Sequence, residues 1–412
     1  MVAINVVQRF RQQNDLRTYR RKIIADIHND PTVRLLPALL ELPLECMCPD
    51  GEVRALEAAV AGAPRIALIG GLGSGRRLAL QQLALRWAGM DNAPLPLSLP
   101  LPTLDDNTSA PDELIAGWLA RSSRTETSKS PLHNLPGLHP HPPSTEQFAG
   151  WSLLLDGWED LSDERRNVWR AALDAAPHNW PDAQVIVALP LGEADWPNFT
   201  PLTITPPGST LLSSWVARLF PETHRIAALA ELSASRPRQA LGRRLAEVAI
   251  LAWVMPQVGL PNTRSELYAQ ALQCLLQQHA IVQPHERLFA ELQLLAAYGE
   301  APASDIPDIL TTTNAGSIRF SHALLRHYFA ARQLVTETRY DLLSLLGPAE
   351  RLEVARFAAT IADDRRRSIG ALARWAAQHR RSAHPGELPV GSARAQPNVD
   401  HTNLRRTCAA GA

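Results

Sequence analysis

The chain has 412 residues, with 41 basic and 41 acidic side chains and 45% hydrophobic positions. That composition excludes a disordered, charge-driven polymer, and at roughly 100 to 200 residues per domain it supplies two to four compact units. Zero net charge gives no support to a protein that coats nucleic acid or an anionic membrane; within the balance, Lys22 and Lys129 are the only lysines, so almost every cation is arginine.

Residues 1 to about 60 read as a polar helical segment carrying Arg9, Arg11, Arg17, Arg20, Arg21 and Lys22. Those cations fit a solvated helix face or a patch that touches phosphate. Cys46 and Cys48, separated by one residue, suit neither a disulfide nor half of a zinc site, and with Cys274 and Cys408 they read as ordinary thiols of a reducing compartment. No basic, apolar, small-residue leader opens the sequence. The least polar stretch, Val248 to Thr263, is interrupted by Pro256 and Pro261 and falls short of the roughly 18 apolar residues of a membrane span. A cytoplasmic protein without a membrane partner is expected.

The apolar run Arg65 to Ile69 reads as a buried strand. It leads into Gly70-Gly71-Leu72-Gly73-Ser74-Gly75, after which Arg76 to Trp87 has helical periodicity. Pro94 to Leu101 reads as a strand that its prolines confine to a sheet edge. About 122–147 is rich in Ser, Thr, Pro and His with no apolar period, so a flexible insertion is expected; its His133, His139 and His141 lack a carboxylate or cysteine at ligand spacing. Trp151 to Leu155, ending in Asp156, is the next strand, Gln184 to Leu189 another, and Leu202 to Thr205 a weaker one. Beyond about 210 the pattern is almost wholly helical. Strands alternating with helices, then helices alone, predict a parallel α/β sheet joined to a helical part.

Gly70 to Arg77 has the spacing of a phosphate-binding loop. Glycines there let consecutive N–H groups turn inward around phosphates, and the helix that follows adds its positive end. An ordinary strand-to-helix turn uses glycines too. Leu153-Leu154-Leu155-Asp156-Gly157-Trp158-Glu159-Asp160 then puts a carboxylate at a strand's C-terminal edge, where such proteins hold Mg²⁺, with two more that can orient a water. An acidic helix N-terminus set against the helix dipole explains the same residues.

RIALIGGLGSGRRLALQQLALRWA followed by WSLLLDGWEDL resembles the NACHT nucleoside triphosphatase domains of the STAND class. Leu260 to Leu276 (LPNTRSELYAQALQCLL) looks like the helical segment of those modules with its R-x-x-LY signature. Ile318 to Leu334 (IRFSHALLRHYFAARQL) is similar to their winged-helix segment, with F-x-H and an aromatic-AA pattern. C-terminal helices are expected over 346–382, and a disordered tail over 383–412 from its Pro, Gly and Ser without periodicity. The resemblance implies a P-loop NTPase sheet with helices on both faces over 61–210, then a helical domain over 211–285 and a winged-helix-like domain over 286–345. It implies ATP or ADP as ligand. Gly70, Gly71, Gly73, Ser74 and Gly75 would cradle the phosphates, Arg76 and Arg77 would follow in the positions of the phosphate-contacting Lys and the metal-ligating hydroxyl, Asp156 would stand for the Mg²⁺ carboxylate, and Glu159 and Asp160 for the acidic pair. Pro237 would lie against the base and His322 would sense the β-phosphate; packing against Phe320 and Leu324 is the other reading of that histidine.

Three departures bear on chemistry. Arg76 keeps a positive charge in a different shape, Arg77 offers a cation where a hydroxyl would bind metal, and Val187-Ala188-Leu189-Pro190 carries no sensor arginine. Mg²⁺ binding and hydrolysis are therefore expected to be impaired, since phosphoryl transfer depends on that electrostatic stabilisation. The expected function is a nucleotide-dependent switch or assembly scaffold in bacterial signalling or defence; the alternatives are a nucleotide-independent interaction subunit and an AAA-like ATPase acting on DNA. About 60 residues before the loop are too few for most catalytic domains. Expected partners are thus nucleotide, proteins that carry sensor or effector functions, and further copies of the chain. Nucleic acid is not expected.

Overall fold

The computed structural model describes residues 13–90, 93–101, 111, 150–179, 183–193, 196–234, 241–278, 285–298, 310–312, 318–320, 323–337, 343 and 348–361. The expected insertion at about 122–147, the tail over 383–412, Pro237 and His322 lie outside the described residues.

Seven strands form the central sheet: β1 Glu45–Met47, β2 Val53–Ala55, β3 Arg65–Gly70, β4 Leu95–Pro100, β5 Trp151–Asp156, β6 Gln184–Pro190 and β7 Thr200–Ile204. Their spatial order is β2-β1-β7-β3-β6-β5-β4. β3 to β7 are mutually parallel, while β1 pairs antiparallel with both β2 and β7. Parallel strands joined by crossovers are covered on both faces and so read as continuous apolar runs. Ile66 to Gly70, Trp151 to Leu155 and Val185 to Leu189 are accordingly buried at every position. β4 lies at the edge, as its prolines require.

The N-terminal segment is only partly the helix that its composition suggests. A helix does run Gln13–His28, but β1 and β2 form a hairpin that continues the sheet beyond β7. Arg21 and Lys22 are exposed, as a solvated face has them, and Arg20 is half-buried. Its guanidinium donates to the carbonyls of Trp87, Met90 (2.5 Å) and Ala93 (2.9 Å), where the helix Arg76–Ala88 ends. A cation there satisfies orphan carbonyls and offsets the negative end of the helix dipole. Gln82 donates to Leu39 and Leu42 at 3.0 and 2.9 Å, and Trp215 to Pro43 at 2.7 Å. Residues 39–43 are thereby held between the helices Arg76–Ala88 and Ser209–Leu219.

Past the sheet come the helices Ser209–Leu219, Glu222–Ala234, Leu245–Val258, Arg264–Gln278, His285–Tyr298, Ala323–Glu337 and Pro348–Ile361, with a hairpin of β8 Leu310–Thr312 and β9 Ile318–Phe320 before the penultimate one. The later helices build a second core around Tyr268, Tyr328, Phe329 and Phe357. The helix Leu245–Val258 serves both cores: Val248, Leu251 and Met255 enter the first, while Ala246, Ile250 and Trp253 lie against the second. The architecture is α/β, a P-loop-type sheet with helices packed on it and helical subdomains after it. No described helix is long and apolar enough to cross a membrane.

Candidate functional site

In a parallel sheet, ligands meet the C-terminal strand ends, where loops lead into helices. The glycine loop leaves β3 there, the acidic turn leaves β5, and β6 separates the two. Gly70 stands level with Pro190 of β6, and Leu155 of β5 with Val187 of that strand. Two strand spacings put β3 and β5 about 10 Å apart, a distance that an arginine and a glutamate span together.

The loop turns on two glycines. Gly73 and Gly75 have φ of +76° and +101°, in the left-handed region that L side chains rarely adopt. Gly75 precedes the helix without any side-chain cap, and its carbonyl accepts from Ala79 N–H at 2.8 Å. The Ser74 hydroxyl turns into the loop: a Cβ on Gly70 would stand 2.3 Å from it, and this buried oxygen has no partner among the described residues.

Outside the loop lies protein. Ala246 N–H donates to the Gly73 carbonyl at 3.1 Å. A Cβ on Gly75 would come within 2.7 Å of Leu245 Cδ2, and one on Gly73 within 2.9 Å of Leu324 Cδ1. The loop is thus seated against the first residues of the helix Leu245–Val258 and against the helix Ala323–Glu337.

Arg76 and Glu159 find each other across 83 positions of sequence. The guanidinium, 8% exposed in its side chain, donates from Nη2 to Oε1 at 2.5 Å and from Nη1 to Oε2 at 3.3 Å. The residue expected to clamp phosphate and one expected to orient water therefore engage each other. The turn bearing Glu159, a 3₁₀ segment Trp158–Asp160, is held by its backbone: Arg166 donates to the carbonyls of Glu159 (2.9 Å) and Trp158 (3.3 Å), and Trp158 Nε1 to Glu193 at 2.9 Å. Asp160 is exposed on that turn.

The acidic helix N-terminus is a different set of residues. Ser162 caps the helix Asp163–Asp174, and Asp163 and Glu164 occupy its first turn. Asp156 lies at the very end of β5. Burial pushes its carboxyl above the ordinary range and Glu159 adds to that push, while Arg77 and Arg76 pull it down.

Arg77 does not point its charge inward as the motif alignment suggests. Its Nη2 donates to Asp30 Oδ2 at 2.7 Å, its side chain is 63% exposed, and Gln81 joins the same carboxylate at 3.1 Å. Asp30 also accepts from Thr32 N–H at the start of a short N-terminal helix, so Arg77 ties the loop helix to that segment. Where a sensor arginine would follow β6, the exposed Leu191 stands 3.4 Å from the position of a Cβ on Gly71.

The donor set suits a polyphosphate and not a magnesium ion. Backbone N–H groups, the Ser74 hydroxyl and Arg76 are all donors to anionic oxygen. Mg²⁺ asks for near-octahedral oxygen ligands; the charges that act on Asp156 are the guanidinium groups of Arg77 and Arg76 and a Glu159 already paired with Arg76.

A buried charge cluster next to the loop was not visible in the sequence. Arg244 binds Glu353 through two 2.7 Å contacts, Arg264 reaches the same carboxylate at 2.7 Å and also pairs with Glu247, and Arg356 adds a fourth donor at 2.7 Å. Arg264 also lies over the Phe357 ring at 4.0 Å. Arg264, Leu267 and Tyr268 are the R-x-x-LY signature: the first is in this cluster and the other two are fully buried. Burial alone would raise Glu353, but hydrogen bonds and charge from Arg244 and Arg264 outweigh it and hold its carboxyl at about 2. Glu247 is pushed up by burial against the pull of Arg264 and Arg244.

No protein-family model matches the chain, and no curated protein matches its sequence. Among solved structures it is similar to a replication initiator DnaA bound to AMPPCP and single-stranded DNA, at 13% identity over 79% of this chain and 87% of that one, TM-score 0.32. It is also similar to AMPPCP-bound DnaA from Aquifex aeolicus (12% identity, 79% and 85% covered, TM-score 0.32) and to the ORC1 protein of Aeropyrum pernix in complex with DNA (12%, 77% and 78%, TM-score 0.30). Likeness at this level assigns no site; the fold stands on the strand order and the loop. Two of the three are DNA complexes, and with them the expectation that nucleic acid is no partner is corrected: net charge totals a whole surface and excludes no local basic groove.

Proposed function

We propose that the chain is a NACHT-like, STAND-class nucleotide-binding switch or assembly scaffold with impaired hydrolysis, working in the cytoplasm with partner proteins in bacterial signalling or defence. The observation that carries this reading is the seating of the glycine loop on Leu245, Ala246 and Leu324. A ligand that rearranges the loop must disturb these contacts, and a ligand shifts a conformational equilibrium only through such differential contacts. ATP or ADP would be held by the N–H groups of the loop, the Ser74 hydroxyl and Arg76. Weak turnover follows from the unsuitable metal donors and the apolar Leu191 at the sensor position.

The test is equilibrium binding of ATP and ADP with and without Mg²⁺, together with size measurement. Binding that survives EDTA and a nucleotide-dependent change of assembly are expected. No binding at millimolar nucleotide would overturn the switch and leave the nucleotide-independent interaction subunit, which the Arg76–Glu159 pair favours because it already satisfies the cation of the site.

A further inference from the structure

Resting on the nucleotide reading above, we infer that Glu159 is an internal competitor for the phosphate site: its carboxylate occupies the guanidinium of Arg76, and a polyphosphate enters by taking that place without a metal ion. Three features of the geometry support this. The two partners are unequally buried, Arg76 at 8% and Glu159 at 30% side-chain exposure. When the pair parts, the carboxylate can turn to water, whereas the guanidinium stays in a poorly hydrated place that calls for another anion. The turn under Glu159 is fixed through the carbonyls of Trp158 and Glu159, so exchange requires a side-chain rotation and no rebuilding of the sheet edge. Finally, the unpartnered Ser74 hydroxyl inside the loop is a second donor for the incoming phosphate.

An arginine fork matches phosphate oxygens as well as it matches a carboxylate, which makes the exchange one charge-assisted pair for another. Glu159 therefore sets a threshold: monoanions too weak to displace it are rejected, and di- or triphosphates, with several oxygens to share among Arg76, Ser74 and the loop N–H groups, are admitted.

The experiment measures ADP, AMPPCP and pyrophosphate affinity by calorimetry in EDTA, on the full chain and on Glu159→Gln, Arg76→Ala and the double variant, with circular dichroism to confirm folding. Glu159→Gln is expected to tighten all three probes by about 2- to 5-fold, the worth of a part-exposed ion pair. Arg76→Ala should lose the binding, and the double variant should regain none of it. AMPPCP keeps slow hydrolysis out of the comparison. Binding by Glu159→Gln alone, with none by the natural chain, would also support the competitor. Equal affinity in the natural chain and Glu159→Gln overturns this inference while leaving the nucleotide reading intact, as does a gain that persists without Arg76. Absence of binding in every folded variant sinks both.

Discussion

Two of the arginine–glutamate contacts in the molecule differ in what surrounds them. At the mouth of the loop, one guanidinium meets one carboxylate that keeps 30% of its side chain exposed. Between the helices, Glu353 (7% exposed) takes bonds from three arginines, and Glu247 (2% exposed) sits beside two of them. An exposed carboxylate has water as an alternative partner and can exchange. A buried one has only its arginines, and breaking the set leaves uncompensated charge in a low-dielectric interior. The same chemistry gives an exchangeable contact in one region and a fixed joint in the other.

That contrast can be broken by mutation. The largest expected effect is at the joint: Glu353→Ala leaves Arg244 and Arg264 with Glu247 alone between them and should cost about 3–5 kcal/mol in chemical denaturation. Its pH signature has a definite sign. With the folded carboxyl at about 2 and the unfolded one near the ordinary 4.5, its contribution, ~3 kcal/mol, is complete above pH 4.5 and fades as pH falls toward 2. Glu247, pushed up, works in the opposite sense. Thermal melts of the natural chain and Glu353→Gln should therefore converge at low pH; a gap that widens on acidification contradicts the assignment.

A middle-sized effect is expected where the loop touches the helical part. Gly75→Ala places a methyl 2.7 Å from Leu245 Cδ2 at φ +101°, costing about 1–3 kcal/mol. Nucleotide affinity should fall with it, because the cradle and its seat must shift together; a variant as stable as the parent would show the seat to be loose. The smallest effect belongs to the loop pair. Glu159→Gln should change stability by no more than about 1 kcal/mol, and a loss as large as that of Glu353→Ala would erase the distinction between the two regions.

The legible parts of the sequence are those where local pattern and tertiary role coincide. β3, β5 and β6 announce themselves as apolar runs, closed by Gly70, Asp156 and Pro190, because both their faces are covered, and the prolines of β4 state that it is an edge. β1 and β2 are three residues each, ECM and VRA, too short for any period, and they exist as strands because β7 offers a free edge. The site divides in the same way. The loop and Asp156 are contiguous motifs, whereas the Arg76–Glu159 pair spans 83 positions and the Arg244–Glu353 pair 109. Partners at such separations leave no mark on either segment alone. Arg77 misleads for a related reason: motif alignment fixes a residue's backbone position, while Asp30, 47 positions earlier, decides where its side chain goes.

The hairpin added beyond β7 also bears on how the protein is made. Glu45 accepts its hydrogen bond from Thr205, 160 positions later. At roughly 5–20 residues per second of synthesis, β1 waits about 8–30 s for the strand it completes. During that interval Cys46 and Cys48, buried in the finished sheet, are thiols on a nascent chain, open to whatever oxidant or chaperone reaches them first.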